Sequence, residues 1–250
     1  MNYYIITGTS SGIGEAIARK LILQKHKLFC ISRRMNESVS DLASSAQSQL
    51  WYYEADLSQT GNISKLMNEI FGKMDSTEIS AIALINNAAM LEPVMPAGRY
   101  DNIQLQQHLN VNLLAPMILT NEFIRHTKDL NLPKTIVNIG SGAASSPYEG
   151  WGPYCTSKAG LEMFTRTTAL EQKNALFPVR LLSIAPGIVD TPMQARIRQV
   201  DSDDFPMKPK FEQLYQHNQL SRPVDVADKI IGMLWRDLPD SSEIIDLRKI

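Results

Sequence analysis

Tyr154 and Lys158 stand four residues apart in Tyr154-Cys155-Thr156-Ser157-Lys158, a stretch that runs on into Ala159-Gly160-Leu161-Glu162-Met163-Phe164. If the stretch opens a helix, positions i and i+4 share a face and a phenol lies beside an ammonium. A free tyrosine has a pKa of about 10 and exchanges its proton poorly near neutrality. A cation at short range favours the phenolate and lowers that value, which would make Tyr154 a general acid. By itself the pair is a weak motif. Its weight depends on whether the rest of the chain builds a site around it.

The elements that must do so are legible in order. Tyr3-Tyr4-Ile5-Ile6 is a short apolar run without polar alternation, as in a parallel strand buried on both faces. It ends in Thr7-Gly8-Thr9-Ser10-Ser11-Gly12-Ile13-Gly14, and a helical pattern follows over residues 15–23. Gly8 permits a sharp exit from the strand, Gly12 lets backbone amides approach a diphosphate, and Gly14 allows close helix-to-strand packing. A second strand, 27–32, ends in Arg33-Arg34, where a dinucleotide fold that prefers NAD carries an acidic residue; a basic one accommodates the 2'-phosphate of NADP. The plainer alternative for Arg33 and Arg34 is a solvated pair. A third strand, 50–55, is followed by Asp56, which either meets an adenine amino group or caps the helix beginning near Ser58.

Strand and helix keep alternating through Ile82-Ala83-Leu84-Ile85 and Asn86-Asn87-Ala88-Ala89, then a long helix carrying Asn110-Val111-Asn112-Leu113. Thr135-Ile136-Val137-Asn138-Ile139 ends at Gly140-Ser141-Gly142, and Val179–Ile184 ends at Ala185-Pro186-Gly187. This pattern is that of a single-domain α/β fold of the Rossmann type, a doubly wound parallel β-sheet with helices on both faces. Each glycine or polar cluster falls at a strand's C-terminal end, so all of them face one crevice.

Composition bounds the partners. The 250 residues carry a formal charge of -1 and a pI near 6.4, with no basic stripe, which argues against a nucleic-acid or anionic-membrane surface. No apolar run reaches the roughly 20 residues of a membrane span. With only Cys30 and Cys155, and no charged-then-apolar leader, a reducing cytoplasm is the expected location. Cys155 has no partnering histidine nearby in sequence and reads as packing rather than as a nucleophile. No metal is expected; a small soluble partner is.

Gly8, Gly12 and Gly14, Asn86-Asn87-Ala88, Asn112, Ser141, Tyr154 with Lys158, and Pro186-Gly187 together resemble, in order and spacing over essentially the whole chain, the short-chain dehydrogenase/reductase family. The resemblance implies that Tyr154 is the acid/base and that Lys158 lowers its pKa and holds the nicotinamide ribose. It further implies that Ser141 hydrogen-bonds the substrate oxygen and that Asn112 steadies a proton-relay water. The NADP(H) site so implied comprises Gly8, Ser10, Ser11, Gly12, Ile13, Gly14, Arg33, Arg34, Asp56, Leu57, Asn87, Ala88, Tyr154, Lys158, Pro186, Gly187, Val189 and Thr191. Two departures stand out: Ala89 follows Asn-Asn-Ala where the family usually has Gly, and Gly140 replaces the first of two serines.

Pro147-Tyr148-Glu149-Gly150-Trp151, the run Ala185–Thr191 with Met193-Gln194, and Ile245-Asp246-Leu247 are similar to the sepiapterin reductase branch, which includes bacterial benzil reductases. By that resemblance Asp246 anchors a pterin; the alternative is a strand-end carboxylate facing water. Trp151 and Tyr148 are expected to wall a pocket for a flat substrate, or else to pack in the core. Met193 and a segment at about 188–221 form the expected lid. The reaction expected is NADPH-dependent reduction of one ketone of a vicinal diketone, with pterin side-chain reduction as the competing substrate reading. A nucleotide-sensing binding protein or a scaffold is the non-enzymatic alternative. The resemblance also implies a homodimer through the helices holding Asn112 and Tyr154; the alternative is an apolar face buried within one subunit.

Overall fold

A computed structural model describes residues 1–75, 77–236 and 243–249. Its strands are β1 (Asn2–Thr7), β2 (Lys27–Ser32), β3 (Leu50–Glu54), β4 (Ala81–Asn86), β5 (Lys134–Ile139), β6 (Arg180–Ala185) and β7 (Ile244–Asp246). They form one sheet in the order β3-β2-β1-β4-β5-β6-β7, and every neighbouring pair is parallel. The chain winds outward from β1 to β3, then returns to the other side of β1 at β4. That reversal opens the crevice in which such folds bind ligands.

The helices are α1 (Gly12–Leu23), α2 (Glu37–Ser45), α3 (Ile63–Gly72), α4 (Asn102–Leu109), α5 (Ala115–Thr127), α6 (Gly152–Gln172), α7 (Pro192–Ile197), α8 (Lys208–Gln216) and α9 (Pro223–Met233). The strands have no polar face because both faces are covered. Tyr4 and Ile6 join the cluster under α1, α2 and α9, whereas Tyr3 and Ile5 join the one under α3 and α5. Each buried Ile or Leu in these layers stabilises the fold by about 1.5–3 kcal/mol. No helix among the described residues is long and apolar enough to cross a membrane.

The helix expected around Asn112 is interrupted. Between α4 and α5 the backbone takes a π-helical turn over Asn110–Leu114. The wider turn inserts one extra residue per repeat, so the apolar spacing of α4 does not carry through into α5. A third cluster, Leu91, Val94, Ala143, Trp151, Tyr154, Ile197, Phe205 and Phe211, caps the crevice above β5 and β6. The segment between β6 and α9 supplies Ile197, Phe205 and Phe211 and is pinned where it leaves and returns: Ser221 N donates to Ile188 O at 3.0 Å, and Asp190 N donates to Ser221 O at 2.9 Å.

Candidate active site

The glycine turn after β1 is locked to the end of β4. The Thr7 hydroxyl accepts from the amides of Asn87 and Ala88, both at 2.9 Å, while Asn87 Nδ2 donates to the carbonyls of Thr7 and Gly8 at 3.0 and 3.1 Å. Gly8 has φ +73° and Gly12 φ +64°, the left-handed region that favours glycine. A Cβ on Gly14 would sit 2.3 Å from the Gly8 carbonyl oxygen, so α1 starts closer to β1 than any other residue allows. The result is a helix N-terminus with bare backbone facing the crevice, a surface suited to phosphate.

Tyr154 and Lys158 lie on the buried stripe of α6 with Ser157, Leu161, Thr165 and Thr168. Buried amides set the depth of that helix: Asn86 Nδ2 donates to Asn138 Oδ1 at 2.8 Å, and Asn138 Nδ2 donates to the Thr165 hydroxyl at 2.9 Å. Lys158 Nζ donates to the Ile139 carbonyl at 2.7 Å and stands 5.8 Å from the centre of the Tyr154 ring. Ser141, two residues beyond Ile139, lines the same cleft and acts on the Tyr154 phenol. The three side chains therefore converge at the end of β5.

Their protonation departs from the sequence expectation. Burial pushes the Tyr154 phenol above its ordinary value, and the nearby Ser141 hydroxyl only partly opposes it. Burial also pulls the Lys158 ammonium down to about 8. Desolvation of both charged forms outweighs the attraction that was expected to make the resting phenol acidic. Tyr154 at neutral pH thus holds its proton, the form a proton donor needs.

Asn112 lies one layer deeper and does not line the cleft. Its Nδ2 donates to Met90 O at 2.8 Å and to His108 Nε2 at 3.0 Å, and its Oδ1 accepts from Met90 N at 2.8 Å. Both amide hydrogens are committed, so the side-chain N–H groups have none left for a relay water. His108, which no sequence motif singled out, is fully buried. Its Nδ1 lies 2.7 Å from the Glu92 carbonyl, which can only accept, so Nδ1 carries the hydrogen and Nε2 is the acceptor for Asn112. Burial, with the nearby Lys158 charge adding to it, lowers the His108 pKa and keeps the ring neutral. His108→Leu strands the Asn112 amide hydrogen and the Glu92 carbonyl, each costing about 1–3 kcal/mol when buried without a partner. Denaturant unfolding of that variant is expected to show a loss of roughly 2–6 kcal/mol; a change within about 0.5 kcal/mol would match an ordinary surface substitution instead.

The family model for short chain dehydrogenase matches residues 2–202. The chain belongs to the short-chain dehydrogenase family. A benzil reductase ((S)-benzoin forming) from Bacillus cereus is 40% identical over 245 residues, covering 98% of each chain. The sepiapterin reductase of Mus musculus is 29% identical over 252 residues, 97% of this chain and 95% of that one. Among solved structures, the KRED1-Pglu enzyme superposes with a TM-score of 0.83 at 28% identity, covering 97% of this chain and 98% of its own. The protein is thus an oxidoreductase with benzil reductase and sepiapterin reductase homologues.

In this short-chain dehydrogenase a cleft of about 650 Å³ brings together Gly8, Ser10, Ser11, Gly12, Ile13, Arg33, Asp56, Leu57, Asn87, Ala88, Ser141, Trp151, Tyr154, Lys158, Pro186, Gly187, Val189, Thr191 and Met193. Gly14 stays behind the loop, in its packing role. Arg34 does not reach the lining; what it contributes is its carbonyl, which accepts from Ser32 Oγ at 2.7 Å and Tyr52 OH at 3.2 Å. Asp56 lines the cleft while its Oδ1 accepts from Ser58 N at 2.9 Å, so the turn and the cleft share one carboxylate. Gly140 has a steric cause: a Cβ there would lie 2.7 Å from Ser183 Oγ. Trp151 stacks on Phe205 with ring centres 4.6 Å apart and meets Tyr154 edge-on at 5.4 Å, so it serves both the core and the cleft wall. Cys155 packs against the same cluster, outside the lining.

Asp246 is placed differently from the pterin-anchor expectation. It is absent from the lining, and its carboxylate accepts from Arg248 Nε at 2.9 Å and Nη2 at 2.5 Å, a pairing that holds its pKa down to about 2. Arg248 lines the cleft instead. Its signal in the sequence was only a cation two residues from an acid near the chain end.

Proposed function

We propose that the cleft binds NADPH and reduces one ketone of a vicinal diketone, with Tyr154 as the proton donor. The observation that carries this reading is the meeting of a protonated Tyr154, the Ser141 hydroxyl and the Lys158 cation at the end of β5, beside a glycine-lined helix N-terminus and an aromatic wall. The glycine backbone fits a diphosphate because no side chain fills the space, and Arg33 and Asp56 stand at the β2 and β3 end where the adenosine would lie. On this reading Tyr154 and Lys158, which both line the cleft, hold the nicotinamide end. The bound cofactor supplies the hydride. Ser141 and Tyr154 hold the ketone oxygen, Ser141 donates to it as negative charge grows, and Tyr154 gives it a proton. An adjacent carbonyl makes the attacked carbon more electrophilic, and the similarity to the Bacillus cereus benzil reductase supports that substrate class.

Sepiapterin is the less favoured substrate, because the carboxylate at position 246 is engaged with Arg248. The segment 188–221 acts as the lid, hinged where Ile188 and Asp190 meet Ser221. A homodimer through the helices near Asn112 and Tyr154 is supported by exposed Ile103, Leu114, Met163 and Leu170. Unpaired Cys30 and Cys155 suit a reducing cytoplasm.

Arg33 is exposed and its side chain reaches the cleft. Arg33→Ala is expected to raise the KM for NADPH at least about tenfold, the loss of one charge-assisted hydrogen bond, with little change for NADH. Steady-state kinetics with both cofactors checks it; equal effects would place the 2'-phosphate elsewhere.

A further inference from the structure

The cleft wall offers more hydrogen-bond donors than one ketone oxygen can accept. Tyr154 and Ser141 already answer to the oxygen that is reduced. Beyond them, Trp151 Nε1 and Gln194 Nε2 are buried in residues lining the cleft and have no acceptor. Arg248 adds a third surplus. Asp246 grips one edge of its guanidinium, through Nε and Nη2. A guanidinium carries five N–H groups, and no hydrogen bond from Nη1 is present among the described residues.

The position of that free edge is specific. The stem of Arg248 crosses Gly187, with Cγ 3.1 Å from where a Cβ would sit, and the free Nη1 lies 4.0 Å from the corresponding point on Gly142. Gly142 is the neighbour of Ser141. The guanidinium therefore bridges the turns after β5 and β6 and stops beside the residue that holds the reacting oxygen. Because Asp246 neutralises it, the pair presents donors without net charge, which suits a neutral carbonyl better than a carboxylate.

We infer that Arg248 recognises the second carbonyl of a vicinal diketone, donating to that oxygen while Tyr154 and Ser141 hold the one being reduced, and that Asp246 orients Arg248 without touching substrate. This rests on the diketone reading above. A hydrogen bond to the second carbonyl also draws electron density from the carbon under attack, so the contact favours dicarbonyls over simple ketones.

The test compares benzil with deoxybenzoin, which keeps the skeleton but lacks the second carbonyl, using the full-length enzyme with NADPH. Arg248→Met is expected to lower the ratio of kcat/KM for benzil to that for deoxybenzoin by roughly ten- to hundredfold, the loss of one charge-assisted hydrogen bond. Arg248→Lys should fall between, since an ammonium keeps the charge without the fork. Asp246→Asn should lower the ratio by a smaller factor. If deoxybenzoin turns over too slowly to time, its inhibition constant replaces its kcat/KM. An unchanged ratio, or a parallel loss for both compounds, overturns the assignment while leaving the diketone reading intact. A wild-type enzyme that consumes neither NADPH nor NADH with benzil overturns that reading, and this inference with it.

Discussion

Tyr154→Phe is expected to lower kcat for benzil by about a thousandfold, within the 10²–10⁴ range of general acid catalysis, while the KM for NADPH stays within about twofold. One oxygen is lost and the ring remains, so the edge-on contacts with Trp151 and His108 persist and the fold has no reason to fail. Ser141 still faces the carbonyl oxygen but has no proton to give without becoming an alkoxide itself. The pH profile carries a second check. Burial holds the Tyr154 pKa above its ordinary value, so the donor stays protonated through neutrality. The rate of reduction should be insensitive to the phenol until strongly alkaline pH, then fall. Single-turnover kinetics across pH would show it; a variant with wild-type rate removes Tyr154 from the chemistry.

Lys158→Met is the second large effect, and it has two readouts of opposite sense. When Tyr154 gives up its proton it becomes a buried phenolate, and the ammonium 5.8 Å from its ring centre is the charge available to stabilise it. At an effective dielectric constant near 20 that attraction is about 3 kcal/mol, or roughly a hundredfold in rate. Because the resting Lys158 titrates at about 8, the advantage of the wild type over the variant should be greatest below pH 8 and shrink above it. Stability runs the other way. The folded pKa lies below the unfolded value, so between about 8 and 10.5 the unfolded chain binds more protons and the wild type gains stability as pH rises. Relative to Lys158→Met, the wild type should gain roughly 3 kcal/mol over that window in denaturant unfolding. A flat difference would mean that Lys158 is not buried as a cation.

These opposing effects explain where sequence reading stopped. The apolar runs Tyr3–Ile6 and Ile82–Ile85 revealed buried parallel strands because a strand covered on both faces has no polar alternation to hide it. Gly8, Asn87, Ser141, Tyr154 and Lys158 meet because each follows a strand or opens a helix at the same edge of the sheet, a fact that topology makes visible in one dimension. What spacing could not convey is solvent. That Lys158 sits close to Tyr154 was legible; that burial would push the phenol up and the ammonium down depends on the layers above them. The π-helical turn at Asn112 was hidden because residues on both sides of it keep a helical composition. His108 was hidden because its partners, Glu92 and Asn112, come from a distant loop and the next turn. Asp246 was legible as a strand-end carboxylate, but its pairing with Arg248 depends on a side-chain conformation that no pattern encodes.

The most direct measurement mixes the wild-type enzyme with NADPH and a limiting amount of benzil, following reduced nicotinamide and benzoin together. One benzoin should form for each NADPH consumed, the rate should be lost in Tyr154→Phe, and that variant should bind NADPH undiminished. Tight NADPH binding with no benzoin, or benzoin formed as fast by Tyr154→Phe, would contradict this mechanism.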